Sequence, residues 1–249
     1  MNERMKKRRN VIISIFIILF VGGLLYFTST KVFQYNKPVS SVITQEVVNN
    51  HPTGEEKEDL NKYFSPDVDL NAYREQYKNK NIVARLEIPN MFNLLVVQAS
   101  DNDYYLNHSI DNKRDIKGTE YMDYRVTTDS RQINIYGHNS RTYDIPFRKL
   151  ENFLDKDFFD NNMYILLQDD NGRKIYKIYA IKEVSSDYSH MKVKLEGEAF
   201  LNQIRNLGSN YIYRRDIPYN EDSKILVIQT CSYTSNTSYY VITAILVEE

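Results

Sequence analysis

Apolar residues alternate with polar ones, or cluster in short runs, over much of the second half of the chain, which is the signature of strands. Ile82 to Ile88 is such a run, stopped by Pro89-Asn90, and Leu94 to Gln98, Gly118 to Met122 and Ile133 to Tyr136 follow it. Tyr164 to Gln168 and Arg173 to Val184 flank Asp169-Asp170-Asn171-Gly172. That sequence predicts a hairpin, since Asn-Gly tolerates the positive φ of a tight turn. Tyr211 to Arg214 reads as a short strand, and Ile225 to Ser232 and Tyr239 to Val247 as a final pair joined by a polar connection. Helical spacing is scattered. Leu60, Tyr63, Phe64, Leu70, Tyr73 and Tyr77, broken by Ser65-Pro66, predict two short helices, the second capped near Asp67 or Asp69. Phe147 to Leu154 reads as a helix started by Thr142 or Asp144. Glu196 to Leu207 reads as another, with Phe200, Leu201, Ile204 and Leu207 on one face and Gly208 as its stop. Seven or eight strands with few helices predict a mostly β domain, an antiparallel sheet or closed barrel; a doubly wound fold would need regular alternation.

The N-terminus follows a different rule. Arg4, Lys6, Lys7, Arg8 and Arg9 precede an apolar run from Val11 to Phe27. At about 1.5 Å per residue this run spans most of a hydrocarbon core of roughly 30 Å. The basic end stays in the cytoplasm by the positive-inside rule, so the rest of the chain is expected outside the cell membrane. A cleaved signal peptide fits less well, because Thr28-Ser29-Thr30 is followed by Lys31 rather than closing a small-residue cleavage site. The expected organisation is a cytoplasmic basic tail (1–10), a single transmembrane helix (11–27), an extracellular polar stalk (28–59), a helical appendage (60–79) and a β domain (80–249).

Composition narrows the chemistry. With 42% hydrophobic and 26% charged residues the chain is globular, and a net charge of −1 gives no footprint for nucleic acid. Its single cysteine, Cys231, ends the Ile225 run. It is either a small buried hydrophobe or a nucleophile on a rigid strand end. An exported domain with one cysteine cannot form an internal disulfide, which raises the second reading. A thiol nucleophile needs a base. Of the four histidines, His51 lies in the stalk and His108 and His190 in polar stretches, whereas His138 stands just past the strand Ile133 to Tyr136 and a glycine. One cysteine and dispersed histidines offer no zinc cluster, and Asp169 to Gly172 lacks the downstream carboxylates of a calcium loop, so neither metal nor cofactor is expected.

Tyr136-Gly137-His138-Asn139, the Thr230-Cys231 dipeptide and the basic-then-apolar N-terminus resemble a sortase. Ile88-Pro89-Asn90, Val96-Val97-Gln98, Asn102-Asp103-Tyr104-Tyr105-Leu106 and Met122-Asp123-Tyr124-Arg125 resemble the class B branch in particular. The resemblance covers about residues 80 to 249. It implies a closed eight-stranded barrel with N-terminal helices and a helix between the sixth and seventh strands, before the last two. It further implies a cysteine transpeptidase that cuts a C-terminal sorting signal of an exported protein, holds the acyl part as a thioester on Cys231 and passes it to an amine of a cell-wall peptide or a pilin. His138 is then the general acid and base, and Thr230 borders the substrate groove. The arginine that the family carries on the strand after the cysteine falls at Tyr239, and no arginine follows Arg215. Gln229 likewise departs from the small hydroxyl residue common before Thr-Cys. Either Tyr239 substitutes, or Arg125 or Arg141 reaches in, or the chain is a non-catalytic sortase fold that binds sorting signals or assembly partners.

Overall fold

The computed structural model describes residues 58–185 and 187–249. The basic tail, the anchor at 11–27 and nearly all of the stalk lie outside the described residues. No helix among the described residues is long and apolar enough to cross a membrane.

Among the described residues nine strands form one sheet: β1 (Ile82–Ile88), β2 (Phe92–Val97), β3 (Tyr121–Met122), β4 (Gln132–Tyr136), β5 (Tyr164–Asp169), β6 (Gly172–Ser185), β7 (Tyr213–Arg214), β8 (Ile225–Cys231) and β9 (Ser238–Glu248). Their order is β5-β1-β2-β3-β4-β8-β9-β6-β7, and β5 also pairs with β6. That pairing closes eight strands into a barrel and leaves β7 attached to β6 alone. The barrel is filled by one side of each strand, including Leu86 and Ile88, Ile133 and Ile135, Leu226 and Ile228, and Ile242 and Ala244. β8 is an unbroken apolar run because it is buried on both sides. Its Ile225 and Val227 face outward, where helix α3 (Gly197–Leu207) covers them with Phe200, Ile204 and Leu207. Helix α1 (Leu70–Tyr77) closes another outer face by setting Leu70 against Ile82 and Val97.

Several boundaries differ from expectation for physical reasons. Asp69, not Asp67, caps α1, its side chain accepting from Asn71 N. The run from Gly118 to Met122 pairs only at Tyr121 and Met122, because Gly118 turns at φ +63° where a Cβ would sit 2.5 Å from the Tyr105 carbonyl oxygen. The segment Pro146–Leu154 is a 3₁₀ helix begun by a proline in its first turn; neither Thr142 nor Asp144 caps it. A six-residue helix, α2 (Lys156–Asn161), follows with Asp155 as its cap and is absent from the sequence reading. Gly208 does end α3, but with an ordinary φ of −87°. Glycine is required there because a Cβ would run into the Tyr179 hydroxyl.

Candidate active site

Strands β4 and β8 run parallel with Gln132 paired to Ile225 and Tyr136 to Gln229. The pairing extends past the strand ends, since Gly137 N donates to the Gln229 carbonyl at 3.2 Å and Thr230 Oγ1 to the Gly137 carbonyl at 2.9 Å. His138 and Cys231 each lie two residues beyond the last pair. Cys231, the last residue of β8, points with Gln229 to the outer face, and alternation carried past the end of β4 would turn His138 to that face too. The segment beyond them is tied as well: Asn139 Nδ2 donates to the Cys231 carbonyl at 2.9 Å and to Glu151 Oε1 at 2.7 Å. Gly137 lets the 3₁₀ helix Pro146–Leu154 pack on the end of β4, because a Cβ would lie 2.5 Å from the Phe147 ring.

His138 Nε2 lies 2.7 Å from the Leu106 carbonyl oxygen. A carbonyl only accepts, so Nε2 carries the hydrogen and the basic lone pair of the neutral ring belongs to Nδ1. Cys231 is exposed and free. Desolvation of the sulfur pushes the thiol above its ordinary value, so it rests protonated and needs a base to become a nucleophile. Thr230, expected at the groove, is 1% exposed; its hydroxyl bonds strand to strand.

Tyr239 is the β9 partner of Cys231. Its ring packs 5.9 Å from that of Tyr188 and 6.4 Å from that of His190. Burial, then the hydrogen bond with Tyr188, pushes the phenol up, so it brings no charge. Arg125 is held elsewhere: Nε and Nη2 grip Asp123 at 2.8 and 2.6 Å, and Nη2 also reaches the Met191 carbonyl at 2.9 Å. Arg141 lies over the Tyr233 ring, 4.2 Å from its centre, joining the loop after His138 to the loop after Cys231.

His190 is not in a solvated loop. It is 2% exposed, with Nε2 hydrogen-bonded to Gln229 Oε1 and its carbonyl accepting from Gln132 Nε2 and Asn134 Nδ2, both at 3.1 Å. Desolvation lowers its proton affinity. The two sequence departures, Gln229 and Tyr239, thus both meet His190. Asn134 Nδ2 also donates to Tyr136 Oη at 3.2 Å, and Tyr136 donates to the buried Asp123 at 2.8 Å. This buried seam holds the wall at Ser189–Met191 against β4 and β8. Its polar residues at every second position of β4, Gln132, Asn134 and Tyr136, were the available signal. Among the described residues no group of acidic, histidine or cysteine side chains could hold a metal ion.

A sortase-domain family model matches residues 86–247. The chain is 26% identical over 229 residues to sortase B of Listeria monocytogenes, across 86% of this chain and 88% of that protein. It is 21% identical over 179 residues to sortase B of Staphylococcus aureus, across 68% and 72% of the two. Among solved structures, a mutant form of Clostridium perfringens sortase B superposes with a TM-score of 0.66 at 24% identity, covering 72% of this chain and 88% of that one. A Staphylococcus aureus sortase B–substrate complex gives 0.64 at 20% identity, covering 70% and 84%. The chain belongs to the sortase family, on its class B branch of cysteine transpeptidases.

Proposed function

We propose that the chain cleaves the C-terminal sorting signal of an exported protein through a thioester on Cys231 and transfers the acyl group to an amine, on a cell-wall peptide or a pilin. The observation that supports this reading is the β4–β8 register, which sets the segment leading into His138 alongside the strand that ends in the only thiol of the chain. His138 Nδ1 takes the thiol proton and the sulfur adds to the scissile carbonyl. The tetrahedral adduct collapses as the same proton passes to the leaving amine. The acceptor amine then attacks the thioester and returns its proton to His138. Among the structural relatives, one sortase B is described as complexed with triglycine, and a Streptococcus pyogenes class B sortase is described as involved in pilus biogenesis. Both kinds of acceptor accord with this chemistry.

The test is incubation of the full chain with a sorting-signal peptide and an amine. A ligated product is expected, lost in Cys231→Ala and in His138→Ala. The uncharged Tyr239 opposite Cys231 favours a second reading, a non-catalytic fold that binds sorting signals or assembly partners. Peptide binding without any ligated or hydrolysed product would select it. We also propose that residues 11–27 anchor the protein in the cell membrane with the catalytic domain outside. Carbonate-resistant membrane association of the full chain, lost on deleting 1–27, is the expected result.

A further inference from the structure

An acyl transfer at Cys231 places negative charge on the substrate carbonyl oxygen, and neither neighbouring arginine is a ready donor. Arg125 is bonded to Asp123 and Met191, and Arg141 is seated on Tyr233. A third group has no such engagement. Tyr121 stands on β3, on the opposite side of β4 from β8, paired with Tyr136. Through that pair it occupies the same outer row as Tyr136 and Gln229, one step below His138 and Cys231. Its ring lies 5.4 Å from the Tyr136 ring and its side chain is 7% exposed. Yet its hydroxyl has no hydrogen-bond partner among the described residues, whereas those of its neighbours are used: Tyr136 donates to Asp123, and Tyr105 accepts from Asn79 and Asn81. The ring is buried but the hydroxyl oxygen is not sealed from solvent, so this donor is open to a ligand.

Strand order puts this phenol two strands from the sulfur, on the same outer row. Burial most strongly opposes its ionisation, followed by the negative charges of Asp103, Asp123 and a Cys231 thiolate. Tyr239 feels the same thiolate from β9. Burial pushes both phenols up, which favours their neutral O–H form, and of the two only Tyr121 lacks a partner among the described residues.

We propose that the Tyr121 hydroxyl donates a hydrogen bond to the substrate carbonyl oxygen as the Cys231 sulfur adds to the carbonyl carbon. The inference rests on Cys231 acting as the nucleophile. The S–C bond forms, the C=O π pair moves to oxygen, and Tyr121 keeps its proton while hydrogen-bonding the oxyanion. Collapse restores the carbonyl and expels the leaving group with the proton held by His138. A donor aimed at such an oxygen is typically worth about 100 to 1,000-fold in rate for a full substrate.

The single cysteine makes the test direct. In the full chain, Cys231 is acylated by p-nitrophenyl acetate, which passes through an oxyanion, and separately alkylated by iodoacetamide, which does not. Both rates are read by intact mass in the parent and in Tyr121→Phe, with unfolding midpoints compared to verify the fold. Tyr121→Phe is expected to slow acylation about tenfold or more, with alkylation within about twofold. Equal acylation rates would overturn the proposal, and so would a parallel loss of both reactions, which would make Tyr121 a packing residue. Tyr239→Phe serves as a second variant with a smaller expected effect, its hydroxyl being already bonded. Ligation of a sorting-signal peptide is scored apart. Its absence from the parent, with the Tyr121 effect intact, would remove the transpeptidase reading and leave the donor assignment standing.

Discussion

Glu120 offers a sharp test of the packing behind His138. It precedes Tyr121 on the inward side of the chain, where its Cγ would lie 3.0 Å from a Cβ added to Gly137. It is 9% exposed, and burial raises its carboxyl from 4.5 to about 7. A carboxyl whose folded value exceeds its unfolded one holds more protons when folded, so stability falls as pH rises from about 4.5 to about 7 and stays low above. The rise to about 7 corresponds to about 3 kcal/mol, of which roughly 2.5 kcal/mol develops between pH 5 and pH 9. Glu120→Gln removes the titration and leaves the other groups in place. Urea unfolding of both proteins at a series of pH values isolates this contribution, because the shifts of His190 and Cys231 cancel in the difference. The variant is expected to gain relative to the parent as pH rises, by about 1 M in urea midpoint for a domain of this size. A difference that does not vary between pH 5 and pH 9 would refute the assignment of the raised carboxyl to burial.

Gly137→Ala is expected to destabilise by about 1–3 kcal/mol and to slow turnover more than stability predicts, since the added methyl group displaces the residue before His138; paired denaturation and kinetics check both. Asn139→Ala removes the bond to the Cys231 carbonyl and is expected to cost about 1–2 kcal/mol with a fall in kcat larger than the change in KM. The rate of iodoacetamide alkylation is expected to rise with pH and to reach half its maximum above the value of an unperturbed cysteine, because the thiol is pushed up; a midpoint below that value would mean that a nearby cation dominates desolvation. Turnover is expected to survive EDTA, and a loss restored by calcium would contradict a reaction carried by thiol and imidazole alone.

Local pattern carried much of the fold. The limits of β1 at Ile82 and Ile88, the cap of α1 among two candidates and Phe200, Ile204 and Leu207 on the buried face of α3 follow from residue spacing, whereas Leu201 falls off that face and Gln203 takes a place on it. The Asp169–Gly172 turn follows from glycine, which adopts φ +137° as Asp169 Oδ1 accepts from Asn171 N and Gly172 N. What could not be read is long-range. Gly137 and Thr230 are 93 residues apart, and nothing in either segment states that their strands run parallel in the register that ties Gly137 to Gln229 and Thr230. The placement of Cys231 and His138 on one face came from resemblance, not from spacing. His190 lies among Asp187, Tyr188 and Ser189, so the stretch reads as solvated. Its burial comes from partners on β4, β8 and α3 that turn their amides toward Ser189 and His190. Helix α2 escaped because six residues rich in Asp and Asn carry almost no periodic signal. Tyr121 escaped because a tyrosine in a short β run reads as core, and only the structure reveals that its hydroxyl has no partner among the described residues.

The most direct measurement of the central claim is peptide mapping by mass spectrometry of the full chain after reaction with a sorting-signal peptide in the absence of added amine. The expected result is an acyl group on Cys231, released by hydroxylamine and not formed by His138→Ala. Peptide cleavage that leaves Cys231 free, or an adduct that forms equally well without His138, would contradict it.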